Sequence, residues 1–373
     1  MENNILDRGI NSCTGCGACA IACPVSAITI GFSSEGFLIP EVNDHLCTNC
    51  GICKDVCYQY YDGSSIKSCS DFKGKTIIAV LNNYLEQMSE VSTAGVATQL
   101  ARYYYKENYN VCGVILTSDN ETCEHIVVKN IEDINKIKGS KYLQSNTVKA
   151  FQELIDSDKK SIVFGLPCQI YGLKQLIKQK NLEDKFILVD FFCAGIPTIN
   201  LWRKYIDFII RIMGLSDVCN VNFRSKAQGW HKFSIELTDR NGKKYRQNIF
   251  NDMFFSFYLK RTCLNEACYN CMFRNGIAFS DIRLGDFWGE KYRIFDDGVE
   301  LVVLVTKKGE ESWDNVNSSF RFEYVQTEDI LKSQKKLNIP IPEEYEDLLR
   351  TLASGEKLEV INSQFKINLK GYK

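Results

Sequence analysis

Cys13-Thr14-Gly15-Cys16-Gly17-Ala18-Cys19-Ala20-Ile21-Ala22-Cys23-Pro24 decides how this chain begins to fold. Its cysteines follow the spacing C-x2-C-x2-C-x3-C, and the same spacing returns 34 residues later as Cys47, Cys50, Cys53 and Cys57. Three thiols at i, i+3 and i+6 on a tight loop converge on one compact core. Gly15, Gly17 and Gly51 let the backbone wrap closely round it. The two copies differ just past their ends: Pro24 follows the first and Tyr58 the second.

Zinc knuckles take their four ligands in spaced pairs. Runs of this repeated spacing instead hold cubane iron–sulfur clusters, with the fourth cysteine of each run ligating the other cluster. The predicted ligand sets are Cys13, Cys16, Cys19 and Cys57 for one [4Fe–4S] cluster. Cys47, Cys50, Cys53 and Cys23 form the other. Residues 1–62 are therefore expected to form an α+β ferredoxin-like two-cluster module.

The wider composition agrees. The chain has 373 residues, 45% of them hydrophobic, and 17 cysteines, an odd number that complete disulfide pairing cannot use. Six acidic against two basic side chains in residues 1–60 leave −4, so the remainder carries +3 within a total of −1. That balance argues against a nucleic-acid or anionic-membrane binder held by global charge. No apolar leader and no membrane-length apolar run is visible. The expected setting is the cytoplasm, with reduced thiols engaged in metal or redox chemistry.

Beyond a polar linker at 63–75, helix and strand patterns alternate. Strands are predicted at Thr76–Leu81, Val111–Thr117, Ser161–Leu166 and Phe186–Phe192. Helices are predicted at Gly95–Lys106, Ser145–Ile155, Pro167–Lys178 and Ile199–Met213. Trp230–Thr238 and Lys243–Ile249 flank Asp239-Arg240-Asn241-Gly242, a hairpin signal. The expectation is an α/β body of two subdomains, 76–157 and 158–326, with a helical appendage at 327–373. Cys168 lies on a strand-to-helix turn, and Cys193 at the end of the next strand. Parallel neighbours would bring these ends together, so Cys168, Cys193, Cys268 and Cys271 can form a third cluster. The alternative is that Cys168 and Cys193 are buried small apolar residues. Cys69, Cys112, Cys123, Cys219 and Cys263 read as structural thiols.

Seven segments carry a resemblance. They are Ser92-Thr93-Ala94-Gly95, Gly139-Ser140-Lys141-Tyr142-Leu143-Gln144-Ser145, Gly165-Leu166-Pro167-Cys168-Gln169 and Asp190-x2-Cys193-x-Gly195. The others are Phe223-Arg224-x-Lys226-x2-Gly229-Trp230, Cys268-Tyr269-x-Cys271 and Ser280-Asp281-Ile282-x2-Gly285-Asp286-Phe287-Trp288. In this order the set resembles the coenzyme F420 hydrogenase/dehydrogenase beta-subunit family, behind a two-cluster ferredoxin domain. The resemblance implies an FAD-binding iron–sulfur oxidoreductase. By analogy, Ser92, Thr93, Gly95, Ser140, Lys141, Tyr142 and Gln144 line the flavin site. Gly95 would admit a pyrophosphate to backbone amides, and Lys141 would counter its charge. The resemblance also makes the four body cysteines ligands of a third [4Fe–4S] cluster.

The expected function is transfer of single electrons from a ferredoxin-like donor through the clusters to FAD, and of two electrons onward to an organic small molecule. His231 is the candidate proton donor. An alternative is a beta subunit exchanging electrons between F420 and a partner hydrogenase or dehydrogenase subunit. Lys138, Arg224, Lys226 and Lys232 would then be candidates for the acidic tail of F420. A non-catalytic metal-binding interaction protein is the alternative from another class.

Overall fold

The computed structural model describes residues 3–9, 12–60, 72, 74–274, 279–334 and 339–367. Cys69 and most of the 63–75 linker lie outside the described residues.

In the N-terminal module, an antiparallel hairpin of β1 (Ile28–Phe32) and β2 (Leu38–Val42) stands between helices α1 (Ala18–Ala22) and α2 (Ile52–Asp55). The sequence repeat is a structural one. Gly17 and Gly51 each cap their helix at φ 80°, a left-handed conformation that glycine adopts without steric cost. One turn earlier, Gly15 and its counterpart Asn49 are also left-handed, at φ 63° and 53°.

The body strands are β3 (Thr76–Asn83), β4 (Asn110–Leu116), β5 (Cys123–Val127), β6 (Ser145–Asn146), β7 (Ser161–Gly165) and β8 (Phe186–Phe191). They continue with β9 (Val218–Ser225), β10 (Ser234–Asp239), β11 (Lys244–Asn248), β12 (Ile282–Asp286), β13 (Glu300–Leu304) and β14 (Phe320–Tyr324). Nine of them form one mixed sheet in the order β14-β3-β13-β12-β8-β7-β4-β5-β6. At its centre β4, β7, β8 and β12 run parallel. The unbroken burial of β7 and near-unbroken burial of β8 is what an apolar run covered on both faces produces. The sheet takes strands from both sides of the boundary drawn at 157 and 158, because β4 pairs with β7.

A smaller antiparallel sheet, β11-β10-β9, is inserted between β8 and β12. It shares a core with α3 (Ile199–Met213), α4 (Met253–Leu259) and the C-terminal helices α5 (Tyr345–Ala353) and α6 (Leu358–Gln364). Two predicted bounds shift. The Ser145–Ile155 helix starts at Val148, because Ser145–Asn146 pairs with β5 and the Asn146 side chain accepts the Val148 amide at 3.0 Å. The strand predicted from Trp230 starts at Ser234, because the Trp230 amide donates to Asp296 O at 2.7 Å.

The module is docked on the body at two places. Its hairpin tip meets the start of α3, where Thr198 Oγ1 donates to Glu35 O at 2.5 Å and the Ile199 amide donates to Gly36 O at 3.0 Å. Its first cysteine loop meets the segment 144–147. Thr147 Oγ1 donates to Cys16 O at 2.7 Å, and Gln144 Nε2 donates to Thr14 O at 2.8 Å. A Cβ on Gly15 would strike Leu38 O and Gln144 Nε2. Glycine is thus required in the docked copy of the repeat, while Asn49 serves in the other.

Candidate iron–sulfur and cofactor site

One hollow is lined by Cys13, Cys16, Cys19 and Cys57, together with Tyr58 and the loop between the cysteines. A second is lined by Cys23, Cys47, Cys50 and Cys53. Each hollow therefore takes three cysteines from one copy of the repeat and one from the other. Among the described residues, no three His, Cys, Asp or Glu side chains come close enough to hold a single ion. A cubane spreads its thiolates round a core of iron and sulfide, so its ligands need not meet so closely. Burial pushes the Cys13 and Cys57 thiols up to about 12. Such thiols ionise readily only when a cationic core replaces the proton.

The two hollows face differently. Cys50 is exposed, with Leu46 and Ile52 exposed nearby. The first hollow lies against the body: a Cβ on Gly172 would stand 3.1 Å from Cys16 Sγ. Cys168 lies in the field of Cys193, Cys271, Cys16 and Cys268, and burial, the largest cause, holds its thiol far above the ordinary range. The turn carrying Cys168 is held from behind. Gln169 Oε1 accepts the Leu166 amide at 3.0 Å, and Gln169 Nε2 donates to Ser145 O at 3.1 Å. The Ser145 hydroxyl in turn meets the buried His125 ring at 3.1 Å. Of the remaining described cysteines, Cys112, Cys123 and Cys263 are buried. Cys219 is exposed, so the expectation of a structural thiol is corrected there to a surface position on β9.

A polar group follows along the same sheet edge. Arg224 Nη1 pairs with Asp286 Oδ2 at 2.7 Å, and Thr93 Oγ1 donates to Asp286 Oδ1 at 2.7 Å. Lys226 Nζ donates to Asp297 O at 2.7 Å and Thr93 O at 3.0 Å; burial and then Arg224 bring its pKa down to about 8. The Trp230 and Trp288 rings are stacked at 4.2 Å, 10° from parallel, with the His231 ring 4.9 Å from that of Trp230. Arg224 Nε and Nη2, Trp230 Nε1 and His231 Nε2 are buried without a hydrogen-bond partner. Unpaired buried polar atoms are costly, and four of them fall in one short stretch (224–231).

The sequence-predicted flavin residues divide. Ser92 Oγ accepts the Ser140 amide at 3.1 Å, and Thr93 joins Asp286 in the polar group. Tyr142 packs against Phe255 and Tyr258, beside Arg224. Three others are hydrogen-bonded within the protein. The Gln144 amide is committed to the ferredoxin module. Lys141 is half-buried; desolvation brings its pKa down to about 8, and its ammonium donates to Lys136 O and Lys138 O. The amides of Ala94 and Val96, which flank Gly95 at the expected pyrophosphate position, instead donate to Glu300 Oε2 at 3.0 and 3.2 Å. Among the F420-tail candidates, Lys138 is paired with Glu86 at 2.7 Å and Lys232 is exposed.

Sequence reasoning missed Glu300. A lone acid opening the otherwise apolar run Glu300-Leu301-Val302-Val303-Leu304 was the available signal. Burial first, then Asp286, raises its pKa to about 7, against the lowering effect of the amide bonds. Between about pH 4.5 and 7 the unfolded carboxyl has lost a proton that the folded one keeps, so stability falls as pH rises. Glu300→Gln is expected to remove about 3 kcal/mol of that loss, seen as a smaller drop in anaerobic melting temperature between pH 5 and 8 than in the parent.

Residues 158–330 match the family described as the C terminus of the coenzyme F420 hydrogenase/dehydrogenase beta subunit. Over those residues the body of this chain is similar to that family. Residues 12–59 match the 4Fe-4S dicluster domain, so an iron–sulfur electron-transfer module precedes a body related to those beta subunits. The chain is similar to the F subunit of F(420)H(2) dehydrogenase of Methanosarcina mazei, 23% identical over 355 residues, which are 83% of this chain and 94% of the relative. It is 34% identical over 179 residues to a coenzyme F420-dependent sulfite reductase of Methanocaldococcus jannaschii, covering 47% of this chain and 26% of that protein. One polypeptide of the F420-reducing [NiFe] hydrogenase complex from Methanosarcina barkeri aligns over 80% of this chain and 94% of its own length, with TM-score 0.49 and 18% identity. Among the described residues no helix is long and apolar enough to cross a membrane.

Proposed function

We propose that the chain is an iron–sulfur flavoprotein oxidoreductase that takes single electrons from a ferredoxin-like donor and delivers two electrons to an organic substrate. The observation that supports this reading is the placing of the first cysteine group against the body, beside Cys168, which suits a line of clusters. Such a line starts at the exposed Cys50, passes Cys16, and reaches Cys168, Cys193, Cys268 and Cys271 at the sheet edge. The ligand sets are Cys47, Cys50, Cys53 and Cys23; Cys13, Cys16, Cys19 and Cys57; and the four body cysteines. Clusters carry one electron at a time and a flavin takes one or two, so together they supply the conversion between the two chemistries.

The chain's own residues supply binding at the sheet edge. Arg224 and the rings of Trp230 and His231 offer the unpaired donors that suit an acceptor-rich FAD, with Ser92, Thr93 and Ser140 alongside. The Gly95 helix start is left to Glu300. Asp286 fixes Arg224 in place through its ion pair. His231 is the proton donor to the substrate in this reading.

The beta-subunit alternative draws on the relatives, two of which are named for F420. In that case F420 is the two-electron partner, and the module's electrons go to a hydrogenase or dehydrogenase subunit. Anaerobic purification separates these readings. A flavin released on denaturation and about 12 iron atoms per chain are expected, as three cubanes require. Turnover of F420 with an artificial electron carrier would favour the beta-subunit reading. A colourless, zinc-loaded protein would leave only a metal-binding interaction module.

A further inference from the structure

Tyr58 occupies the position in the second repeat that Pro24 occupies in the first, and the two have opposite surroundings. Pro24 is exposed at the rim of the second hollow. Tyr58 lines the first hollow and reaches across to the body. Its ring meets Phe273 edge-on at 5.4 Å, and its hydroxyl donates to Ser12 O, just before Cys13. Tyr58, Cys16, Cys168 and Cys271 pack on one shared apolar cluster built round Phe273 and Tyr171.

A proline at position 58 would remove the ring and the hydroxyl together. It would leave a gap between the first cysteine group and the body, into which water can enter. We infer that Tyr58 is a positioning residue that clamps the first ferredoxin cluster against the body cluster and keeps water from between them. The departure of the second repeat from the first is then a docking feature. One copy carries the residue suited to an open surface, and the other the residue suited to an internal junction. The inference rests on the proposed cluster assignment. The tyrosine itself is neither oxidised nor reduced; its ring sets distance and keeps water out.

The experiment uses the full chain, purified anaerobically with its clusters, as Tyr58→Pro, Tyr58→Phe and, from the body side, Phe273→Leu. Three quantities are read: iron per chain, magnetic interaction between reduced clusters by electron paramagnetic resonance, and the rate at which reduced methyl viologen reduces the body cluster. Tyr58→Pro is expected to retain its iron, to lose the interaction signature, and to slow body-cluster reduction about tenfold. Tyr58→Phe keeps the ring and is expected to rescue both. If Tyr58→Pro fails to assemble its first cluster, Phe273→Leu decides: full iron with weakened interaction supports the clamp. Full iron with unchanged interaction and rate in these variants overturns it. About 8 iron atoms in the parent chain would remove the body cluster, and the clamp with it, whereas full iron and unchanged coupling would remove the clamp alone.

Discussion

Cys168→Ser is expected to lower the iron content from about 12 to about 8 atoms per chain and to stop electron delivery to the organic substrate. The serine hydroxyl is a poor replacement for a thiolate, the ligand these clusters use. Cys168 sits with Cys193, Cys268 and Cys271 around one location at the ends of β7 and β8. The two N-terminal groups have their own complete sets of four, so their iron should remain. Reduction of methyl viologen-linked dyes at the exposed second cluster should therefore survive, while transfer onward fails. Unchanged iron in the variant would mean that Cys168 is a buried apolar thiol and that the line of clusters ends at Cys16.

Asp190→Ala is expected to cost about 3–5 kcal/mol, the range for breaking a buried ion pair by removing one partner. Asp190 on β8 is the register partner of Arg283 on β12, and both side chains are essentially inaccessible. Asp190 accepts Arg283 Nε at 2.8 Å and Nη2 at 2.5 Å, and also the Ser280 hydroxyl at 2.8 Å. The Arg283 guanidinium lies 5.8 Å from the ring of Phe72 and 5.7 Å from those of Phe192 and Phe279. Without the carboxylate its charge would be stranded among aromatics at the middle of the sheet. Anaerobic thermal melts check the loss, and the double replacement Asp190→Leu with Arg283→Met should recover most of it. Because Cys193 follows three residues after Asp190, body-cluster iron should fall with stability in the single variant and return in the double. A single variant as stable as the parent would show that the pair contributes nothing to holding β8 against β12.

Much of the frame was legible in the chain itself. The helix read at Ile199–Met213 has those bounds in the structure, because its apolar face repeats at helical period and Thr198 and Gly214 cap it. The hairpin at Asp239–Lys243 was legible from its turn residues. Ser145–Asn146 was not, since a two-residue strand leaves no period to detect. The same segment also hid Gln144, whose amide looks like any ligand-facing amide until the ferredoxin loop is placed beside it.

By itself the sequence determined the two N-terminal cysteine groups, because three ligands of each lie within a few residues of one another, where local backbone geometry converges them, and the repeated spacing assigns the fourth to the other copy. It also determined that the body is built from alternating helices and strands. Only the tertiary structure decided which scattered groups meet. Cys168 comes within electrostatic reach of Cys193 and Cys16, Glu300 reaches the start of the Gly95 helix, and Tyr58 reaches Phe273. Each of these contacts links segments brought together by strand order and module docking. Hydrophobic period and spacing report which face of an element is buried, and they carry no record of which distant element covers it.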